Sequence, residues 1–298
     1  MHRFNKIGQL ILIISMLSIN FSCEEPHQNI ASEEDEPHRL CASDFCSKDG
    51  SYELIALLND TSPQKPIQID IQFINTTSSE NLIIQTQNIE TKLNSIFKEA
   101  KINFIVNPNV YYLASTYSID TIYNNIEIKN ELISQKKFNK NNRINIYIVP
   151  KGKSLNGYTN VLTENFSNYK KTSLNYIFIN EKALSNNSTL LHELGHFFGL
   201  QHTFGKSPLE LSTDEKPDGS NCISAGDFIC DTPSDPNGKI DENCNFLGLK
   251  NGLSYLVTPD VYNFMSYYPS KCKMRFSNTQ LKLMHNFTKE YRYYLIKK

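Results

Sequence analysis

The chain has no tryptophan and almost no excess of charge of either sign. Its 298 residues contain 30 lysines and arginines against 31 aspartates and glutamates, which gives a formal net charge of −1. A near-neutral chain has no global field that would favour nucleic acid or an anionic membrane as a partner. The 16 tyrosines and 17 phenylalanines supply aromatic packing in place of tryptophan. No internal repeat stands out, and the length allows one large domain or two modest ones.

The N-terminal apolar run, residues 7–19, is too short and too polar at its end for a membrane-spanning helix. It follows a basic start and has the length of an export signal. Residues 22–25 (SCEE) resemble the end of a bacterial lipoprotein signal, in which the cysteine is lipidated, although Asn20 stands where an apolar residue is usual. We predict a signal peptide over residues 1–22 and an exported chain. A lipid anchor at Cys23 would be its only membrane contact, on the bacterial outer membrane or the cell surface; ordinary secretion is the alternative.

Seven cysteines are an odd number for an exported chain, since one thiol would remain unpaired. Lipidation of Cys23 leaves an even six. Four of the six lie in the C-terminal part, at Cys222, Cys230, Cys244 and Cys272. We predict two disulfides among these four, because their spacings lack the short paired-cysteine motif of a zinc cluster. The sequence allows three pairings, and we favour Cys222 with Cys244 and Cys230 with Cys272.

The rest of the chain divides into a polar N-terminal segment and a folded domain. Residues 23–55 are acidic and polar, which is typical of a tether or a pro-segment. Within residues 56–298, strands are predicted at residues 67–74, 102–106, 143–149 and 175–180, where apolar residues alternate or cluster. Helices are predicted at about residues 81–100, from Ser188 as N-cap to Phe198, and after Ser277 as the cap of a terminal helix.

This alternation predicts an α/β (or α+β) fold, with a twisted mixed sheet backed by helices, up to about residue 202. From about residue 203 to residue 298 the chain is rich in glycine, proline, aspartate and cysteine until the terminal helix begins. The predicted disulfides would hold this loop-rich part, which has little regular structure of its own.

Residues 192–202 (HELGHFFGLQH) can build a zinc site almost unaided. On a helix, His192 and His196 project from one face, where two imidazoles can bind one metal ion. Glu193 lies close enough to touch a water at that metal without being a ligand. Gly199 allows a sharp turn that can bring His202 round as a third ligand, which leaves one tetrahedral position open, as in a catalytic site. The alternative is a chance pattern of core or surface histidines.

This extended motif is similar to that of the metzincin clan of metallopeptidases, which pairs the zinc helix with a later methionine turn. Residues 263–267 (NFMSY) resemble that turn. Further stretches narrow the resemblance to the pappalysin branch and its bacterial relatives, the cytophagalysins. They are residues 202–204 (HTF), 226–233 (GDFICDTP) and 272–280.

The resemblance implies a zinc endopeptidase that cleaves protein or peptide substrates, and we expect the chain to be a monomer. Its cleft would lie between an upper subdomain, to about residue 202, and a lower subdomain, residues 203–298. Glu193 would be the general base and Tyr267 would stabilise the oxyanion. Met265 would lie beneath the zinc as a hydrophobic base. The alternatives for Tyr267 and Met265 are ordinary packing roles.

The resemblance also covers substrate preference, in which this chain departs from its relatives. Some pappalysins prefer a basic residue after the cleaved bond and place an acidic side chain shortly before the cysteine that follows the turn. Here Ser270 stands where the acid is expected, and Lys271 adds a positive charge. We therefore expect a pocket that favours uncharged residues.

Two further sites are suggested less directly. Asp227, Asp231 and Thr232 provide hard oxygen atoms in a loop that similar proteins use to bind calcium, or they make ordinary turn hydrogen bonds. The segment around Cys41 loosely resembles pro-segments in which a cysteine thiolate occupies the open zinc position. A small Cys41–Cys46 disulfide is the alternative, slightly favoured because it leaves no free exported thiol.

Two other functions compete with the endopeptidase. One is a catalytically inactive metzincin-fold binding protein or adhesin on the cell surface, and the other is a zinc hydrolase of non-peptide bonds. Intact His192, Glu193 and Tyr267 argue against the first. The third histidine and the methionine turn argue against the second.

Overall fold

A computed structural model describes five stretches of the chain, which are residues 50–77, 84–159, 175–205, 213–252 and 254–298. The predicted signal peptide, Cys23, Cys41, Cys46 and most of the predicted tether lie outside the described residues. Within these stretches, no helix combines the length and the apolar character needed to cross a bilayer.

A five-stranded sheet forms the centre of the fold. Its strands are β1 (Ile67–Asn75), β2 (Ile102–Tyr112), β3 (Ile144–Val149), β4 (Gly157–Thr159) and β5 (Tyr176–Asn180). Their order is β2-β1-β3-β5-β4, with β1, β2, β3 and β5 parallel and β4 antiparallel at one edge. Every residue of β3 and β5 is buried, as expected for strands covered on both faces. The prediction of a mixed sheet is confirmed.

Six α-helices accompany the sheet in the described residues. They are α1 (Gly50–Asn59), α2 (Thr86–Ile96), α3 (Ile119–Asn124), α4 (Ile126–Ser134), α5 (Ser188–Phe197) and α6 (Asn278–Tyr291). Side chains of α1, α2, α5 and α6 share one hydrophobic core with one face of the sheet. Those of α3 and α4 form a second core with the opposite face. The sheet is therefore backed by helices on both sides, and the motif helix α5 belongs to the larger core.

The predicted helix boundaries are partly right. Ser277 caps α6 as expected: its Oγ accepts a hydrogen bond from Gln280 N at 3.0 Å, and Gln280 Oε1 accepts one from Ser277 N at 2.9 Å. Ser188 as the N-cap of α5 is wrong. The cap is Asn187, which adopts a left-handed φ of 58°, and Ser188 is the first helical residue. Asparagine tolerates this conformation better than most residues, because its short side chain crowds the backbone little.

The predicted boundary at residue 56 falls inside a helix. Helix α1 begins at Gly50, and its Leu54 is 1% exposed in the larger core. The sequence did not predict this helix, because the flanking acidic segment dominates the composition there. Its contacts with α6 join the N-terminal and C-terminal ends of the described chain.

Two disulfides hold the loop-rich part, as predicted, but with a different pairing. Cys222 bonds to Cys230 and Cys244 bonds to Cys272, with Cα atoms 5.1 and 5.8 Å apart. The favoured pairing is wrong because consecutive turns fold residues 219–230 back on themselves. These turns bring Cys230 to Cys222 rather than to Cys272. A short hairpin of β6 (Lys239–Ile240) and β7 (Phe246–Gly248) carries Cys244 of the second bridge in its turn.

Candidate active site

The three motif histidines converge on one point. His192 and His196 lie one turn apart on the same face of α5. Gly199 has a φ of +91°, which favours glycine, and it ends the helix so that His202 turns back towards the other two. The Nε2 atoms are 3.1 Å apart for His192 and His196, 3.0 Å for His196 and His202, and 3.3 Å for His192 and His202.

This geometry fits a tetrahedral zinc ion. Zinc–nitrogen bonds of about 2.0–2.1 Å place neighbouring tetrahedral ligands about 3.3 Å apart, close to the three observed separations. In the described part of the chain, no other group of three or more His, Cys, Asp or Glu residues brings its ligand atoms within 4.8 Å of one another. The three residues can therefore hold one metal ion and leave a position open.

Burial keeps the three imidazoles in the form that binds metal. It is the largest influence lowering the pKa of His196 to about 4 and those of His192 and His202 well below 6.5. Neutral rings carry a lone pair for the metal at neutral pH, whereas imidazolium ions do not.

Backbone carbonyls fix the orientation of two of the rings. His192 Nδ1 lies 2.6 Å from Phe264 O, and His196 Nδ1 lies 2.8 Å from Leu200 O. A carbonyl can only accept a hydrogen bond, so Nδ1 carries the proton and Nε2 remains available to the metal. The third ring, His202, stacks on Phe204 with ring centres 4.8 Å apart.

Glu193 is fully buried between α5 and the edge strand β4. A Cβ atom added to Gly157 of β4 would lie 2.6 Å from Glu193 Oε1 and 2.7 Å from Thr189 Cγ2. The edge strand therefore approaches the Glu193 carboxylate as closely as a glycine allows. The sequence did not single out Gly157; an isolated glycine within a short strand is the only signal it offered.

The predicted methionine turn packs under α5. A Cβ added to Gly195 would overlap Met265 Sδ, so the small glycine makes room for the methionine. Met265 N donates to Asn263 Oδ1 at 2.9 Å, and Met265 O accepts a hydrogen bond from Thr203 N at 3.2 Å. The first bond lies within the turn, and the second ties the turn to the segment that carries His202.

Tyr267 lies beside the histidines. Its ring centre is 4.5 Å from that of His202, 6.1 Å from that of His192 and 4.6 Å from that of Phe204. The ring is half-buried, in contrast to the fully buried Met265. The fold therefore brings the residue predicted to stabilise an oxyanion to the predicted metal ligands.

The three predicted calcium residues do not form one group. The Asp227 carboxylate is buried and accepts hydrogen bonds from Thr232 Oγ1 at 2.8 and 3.0 Å. The Asp231 carboxylate instead accepts hydrogen bonds from Ser277 Oγ at 2.7 Å and from Thr279 N at 2.9 Å. Asp231 thereby binds the first turn of α6, where a negative charge is favourable.

Glu215 is a further buried acid whose charge acts on Asp227, and the sequence did not single it out. It is 3% exposed, and no described residue donates a hydrogen bond to its Oε2. Burial, with the charges of Asp214 and Asp235, raises its pKa to about 7. Burial also raises the pKa of Asp227, and the charge of Glu215 adds to that rise. Two acids buried near each other cannot both ionise cheaply without a cation.

One lysine side chain places a positive charge near the proposed metal ligands. Lys273 follows the disulfide-bonded Cys272, and its charge contributes to the lowered pKa of all three histidines. Ser270 is half-buried and Lys271 is exposed in the same segment. The sequence drew attention to Lys271 and not to Lys273, since only the fold shows which of the two lies towards the histidines.

Comparison with known proteins agrees with this arrangement. The M43 peptidase family model, described as pregnancy-associated plasma protein-A, matches residues 127–289, more than half of the chain. An extracellular metalloprotease of Aspergillus fumigatus is 33% identical over 102 residues, which cover 33% of this chain and 26% of the relative. An extracellular metalloprotease of Neurospora crassa is 24% identical over 245 residues, which cover 77% of each chain. The match thus spans about a quarter of the first relative and most of the second.

Two solved structures share the fold. Promirolysin of Tannerella forsythia superposes with a TM-score of 0.55 at 18% identity, over 83% of this chain and 89% of that chain. Mature mirolysin of the same organism, solved in complex with a cleaved peptide, gives a TM-score of 0.52 at 18% identity, over 79% of this chain and 100% of that chain. At 18% identity, the similarity to these two structures shows a shared fold only.

Proposed function

The chain belongs to the M43 family of pappalysin-like peptidases, and we propose that it is an exported zinc-dependent endopeptidase. The observation that carries the proposal is the convergence of three buried histidine nitrogens at the spacing of tetrahedral zinc ligands. His192, His196 and His202 would hold the ion. The relatives named as extracellular metalloproteases support both the activity and the export.

When bound, zinc lowers the pKa of a water molecule and polarises the carbonyl of the bond to be cleaved. Glu193 is the proposed general base: it takes a proton from the attacking water and returns it to the departing amine. Its complete burial between α5 and β4 keeps the carboxylate in one position.

Tyr267 is the proposed oxyanion stabiliser. Its ring lies against His202, and its half-exposed position leaves it accessible from the cleft. A phenolic hydroxyl donates a hydrogen bond to the oxygen on which charge develops during attack. Met265 supports α5 from below by filling the space that Gly195 leaves.

We propose that the substrate runs in an extended conformation along β4. This strand is the last of the sheet in the described residues and lies directly beside Glu193. An extended peptide can add to a sheet edge through main-chain hydrogen bonds, which makes binding largely independent of sequence. The solved complex of mirolysin with a cleaved peptide supports a peptide as the substrate class.

We propose further that the pocket after the cleaved bond does not favour basic residues. Ser270 supplies no negative charge, and the positive charge of Lys273 acts on the histidines themselves. An arginine or lysine of the substrate would meet this charge without a carboxylate partner, which is unfavourable at short range.

Calcium binding at Asp227 and Thr232 remains a proposal, now with Glu215 in place of Asp231 as the third residue. A calcium ion would offset the charges of the two buried acids. It would also bind Glu215 Oε2, which accepts no hydrogen bond from a described residue. Asp231 is left out of this proposal because its carboxylate accepts hydrogen bonds from Ser277 Oγ and Thr279 N at the start of α6.

The N-terminal features are also proposals. They comprise a signal peptide over residues 1–22, lipidation of Cys23, a tether or pro-segment over residues 23–55, and latency through Cys41. A monomer with upper and lower subdomains that meet near residue 202 completes the proposed organisation.

The experiment is digestion of casein, an unstructured protein, by the full chain. Each sample is run with and without a zinc chelator, and with and without prior activation by limited trypsin treatment. Glu193→Ala is compared with Glu131→Ala, which changes an exposed glutamate of α4. Cleavage that the chelator and Glu193→Ala abolish, and that Glu131→Ala preserves, is expected. A folded, zinc-loaded chain that cleaves no substrate would refute the endopeptidase and favour a binding protein.

A further inference from the structure

Asp235 connects the two chain segments that flank the proposed metal ligand and the proposed oxyanion stabiliser. Its side chain is 1% exposed. Oδ2 accepts a hydrogen bond from Thr203 Oγ1 at 2.5 Å, and Oδ1 accepts one from Tyr268 Oη at 2.9 Å. A third bond, from Asn237 N to Oδ1 at 2.8 Å, anchors the carboxylate to its own loop. One buried carboxylate thus binds two side-chain hydroxyls from separate segments and one backbone N–H of its own loop.

The two hydroxyl donors are the immediate neighbours of functional residues. Thr203 follows His202, and Tyr268 follows Tyr267 in the sequence. The rings of His202 and Tyr267 are themselves in contact, with centres 4.5 Å apart. The hydrogen bonds to Asp235 therefore tie together the same two segments that the ring contact joins. The segments cannot separate without breaking a buried hydrogen bond.

The direction of the bond from Tyr268 to Asp235 is fixed by a second bond to the same hydroxyl. Tyr268 Oη also accepts a hydrogen bond from Gly238 N at 3.2 Å, so its proton is left for Asp235. Burial and the charge of Asp235 raise the pKa of Tyr268, which keeps the phenol protonated. Bonds to an ionised acceptor are roughly twice as strong as neutral ones, and they are expensive to break when buried.

We propose that Asp235 is a positioning residue for the reaction, which sets the place of Tyr267 relative to His202 through Tyr268 and Thr203. This rests on the proposed function, because it deepens the roles given there to Tyr267 and His202. The hydrogen bonds of the Asp235 carboxylate go to Thr203, Asn237 and Tyr268 and to none of the three histidines. Its effect on the reaction passes through the backbone of the two segments, where a small displacement moves the hydroxyl away from the developing charge.

The test uses Asp235→Asn and Tyr268→Phe in the full chain. Asp241→Asn is the matched control, since the Asp241 carboxylate also accepts three hydrogen bonds, from Asn243 and Asn245, but lies on an exposed hairpin turn. We expect kcat to fall by about 10- to 100-fold in the two test variants, with KM and the two disulfides unchanged. The control should match the parent chain.

A double-mutant comparison separates positioning from general destabilisation. In a Tyr267→Phe background, Asp235→Asn should lower kcat by no more than about threefold further, because the hydroxyl it positions is already gone and only the shift of His202 remains. A merely structural residue would cost the same factor in both backgrounds, and that result would overturn the proposal. If Asp235→Asn does not fold, Tyr268→Phe alone decides, since it removes a single hydroxyl.

Cobalt substitution gives a readout that needs no catalysis. The visible absorption of Co²⁺ bound at the histidines should change in Asp235→Asn and Tyr268→Phe, because His202 shifts, and should be unchanged in Asp241→Asn. Unchanged spectra in both test variants would overturn the proposal. A changed spectrum in a chain that cleaves nothing would support the positioning role while refuting the proposed function.

Discussion

The replacement Gly157→Ala examines how tightly β4 confines the proposed general base. The new Cβ would lie 2.6 Å from Glu193 Oε1 and 2.8 Å from Glu193 Cγ, whereas ordinary van der Waals contacts begin at 3.4 Å. The carboxylate therefore has to move by about 0.8 Å. The strand cannot easily yield instead, because Tyr158 next to Gly157 is buried and stacks on Phe178 with ring centres 6.2 Å apart.

A displacement of about 1 Å near the reacting atoms can cost on the order of 100-fold in rate, so we expect kcat to fall by about 10- to 100-fold. Zinc content should not change, since Gly157 contacts no histidine among its closest neighbours. Overpacking should also lower stability by about 1–3 kcal/mol. Steady-state cleavage of a fluorogenic peptide, metal analysis and thermal unfolding measure the three quantities.

A second variant separates the two close contacts of the new methyl group. Thr189→Ser removes the Cγ2 atom that would lie 2.7 Å from the added Cβ. Combined with Gly157→Ala, it should recover part of the stability but not the rate, because Glu193 remains displaced. A folded, zinc-loaded Gly157→Ala with kcat within about twofold of the parent would refute the confinement of Glu193 by β4.

Three further predictions follow from other sites. In calcium-free protein, the raised pKa of Glu215, about 7 against an ordinary 4.5, makes folding take up a proton. The contribution of Glu215 to the free energy of unfolding should therefore be largest below about pH 4.5 and should decline as the pH rises to about 7. Glu215→Gln should make the decline smaller in thermal unfolding, although Asp227, whose pKa is also raised, keeps its own share. A decline of the same size in that variant would contradict the assignment. Ser270→Asp should raise cleavage before arginine relative to cleavage before alanine by about tenfold in a peptide library, and an unchanged profile would place the pocket elsewhere. Cys41→Ser should give activity before any activating cleavage if the thiolate blocks the zinc, whereas unchanged latency would favour the disulfide with Cys46.

The local parts of the site could be predicted from the sequence. The three histidines fall within eleven positions, so a helix and one glycine turn are enough to bring them together. The strands β1, β3 and β5 were predicted from apolar patterns that depend only on neighbouring residues. The capping box at Ser277 is likewise contained in four residues.

The parts that depend on distant contacts could not be predicted. Asp235 meets Thr203 and Tyr268 across 32 and 33 residues of sequence, in which no periodic pattern shows which side chains face inward. The disulfide pairing failed for the same reason, since only the turns around Cys222 decide its partner. The short elements β4, α3 and α4 have too few residues for a periodic pattern to stand out.

The most direct test of the central claim is a zinc titration of the metal-free full chain, after activation, followed at each step by the rate of peptide cleavage. The rate should rise in proportion to added zinc and reach a plateau at one equivalent per chain. Glu193→Ala should bind the same single equivalent and remain inactive, because it keeps all three ligands. Cleavage without zinc, or a plateau that His202→Ala leaves unchanged, would contradict the account.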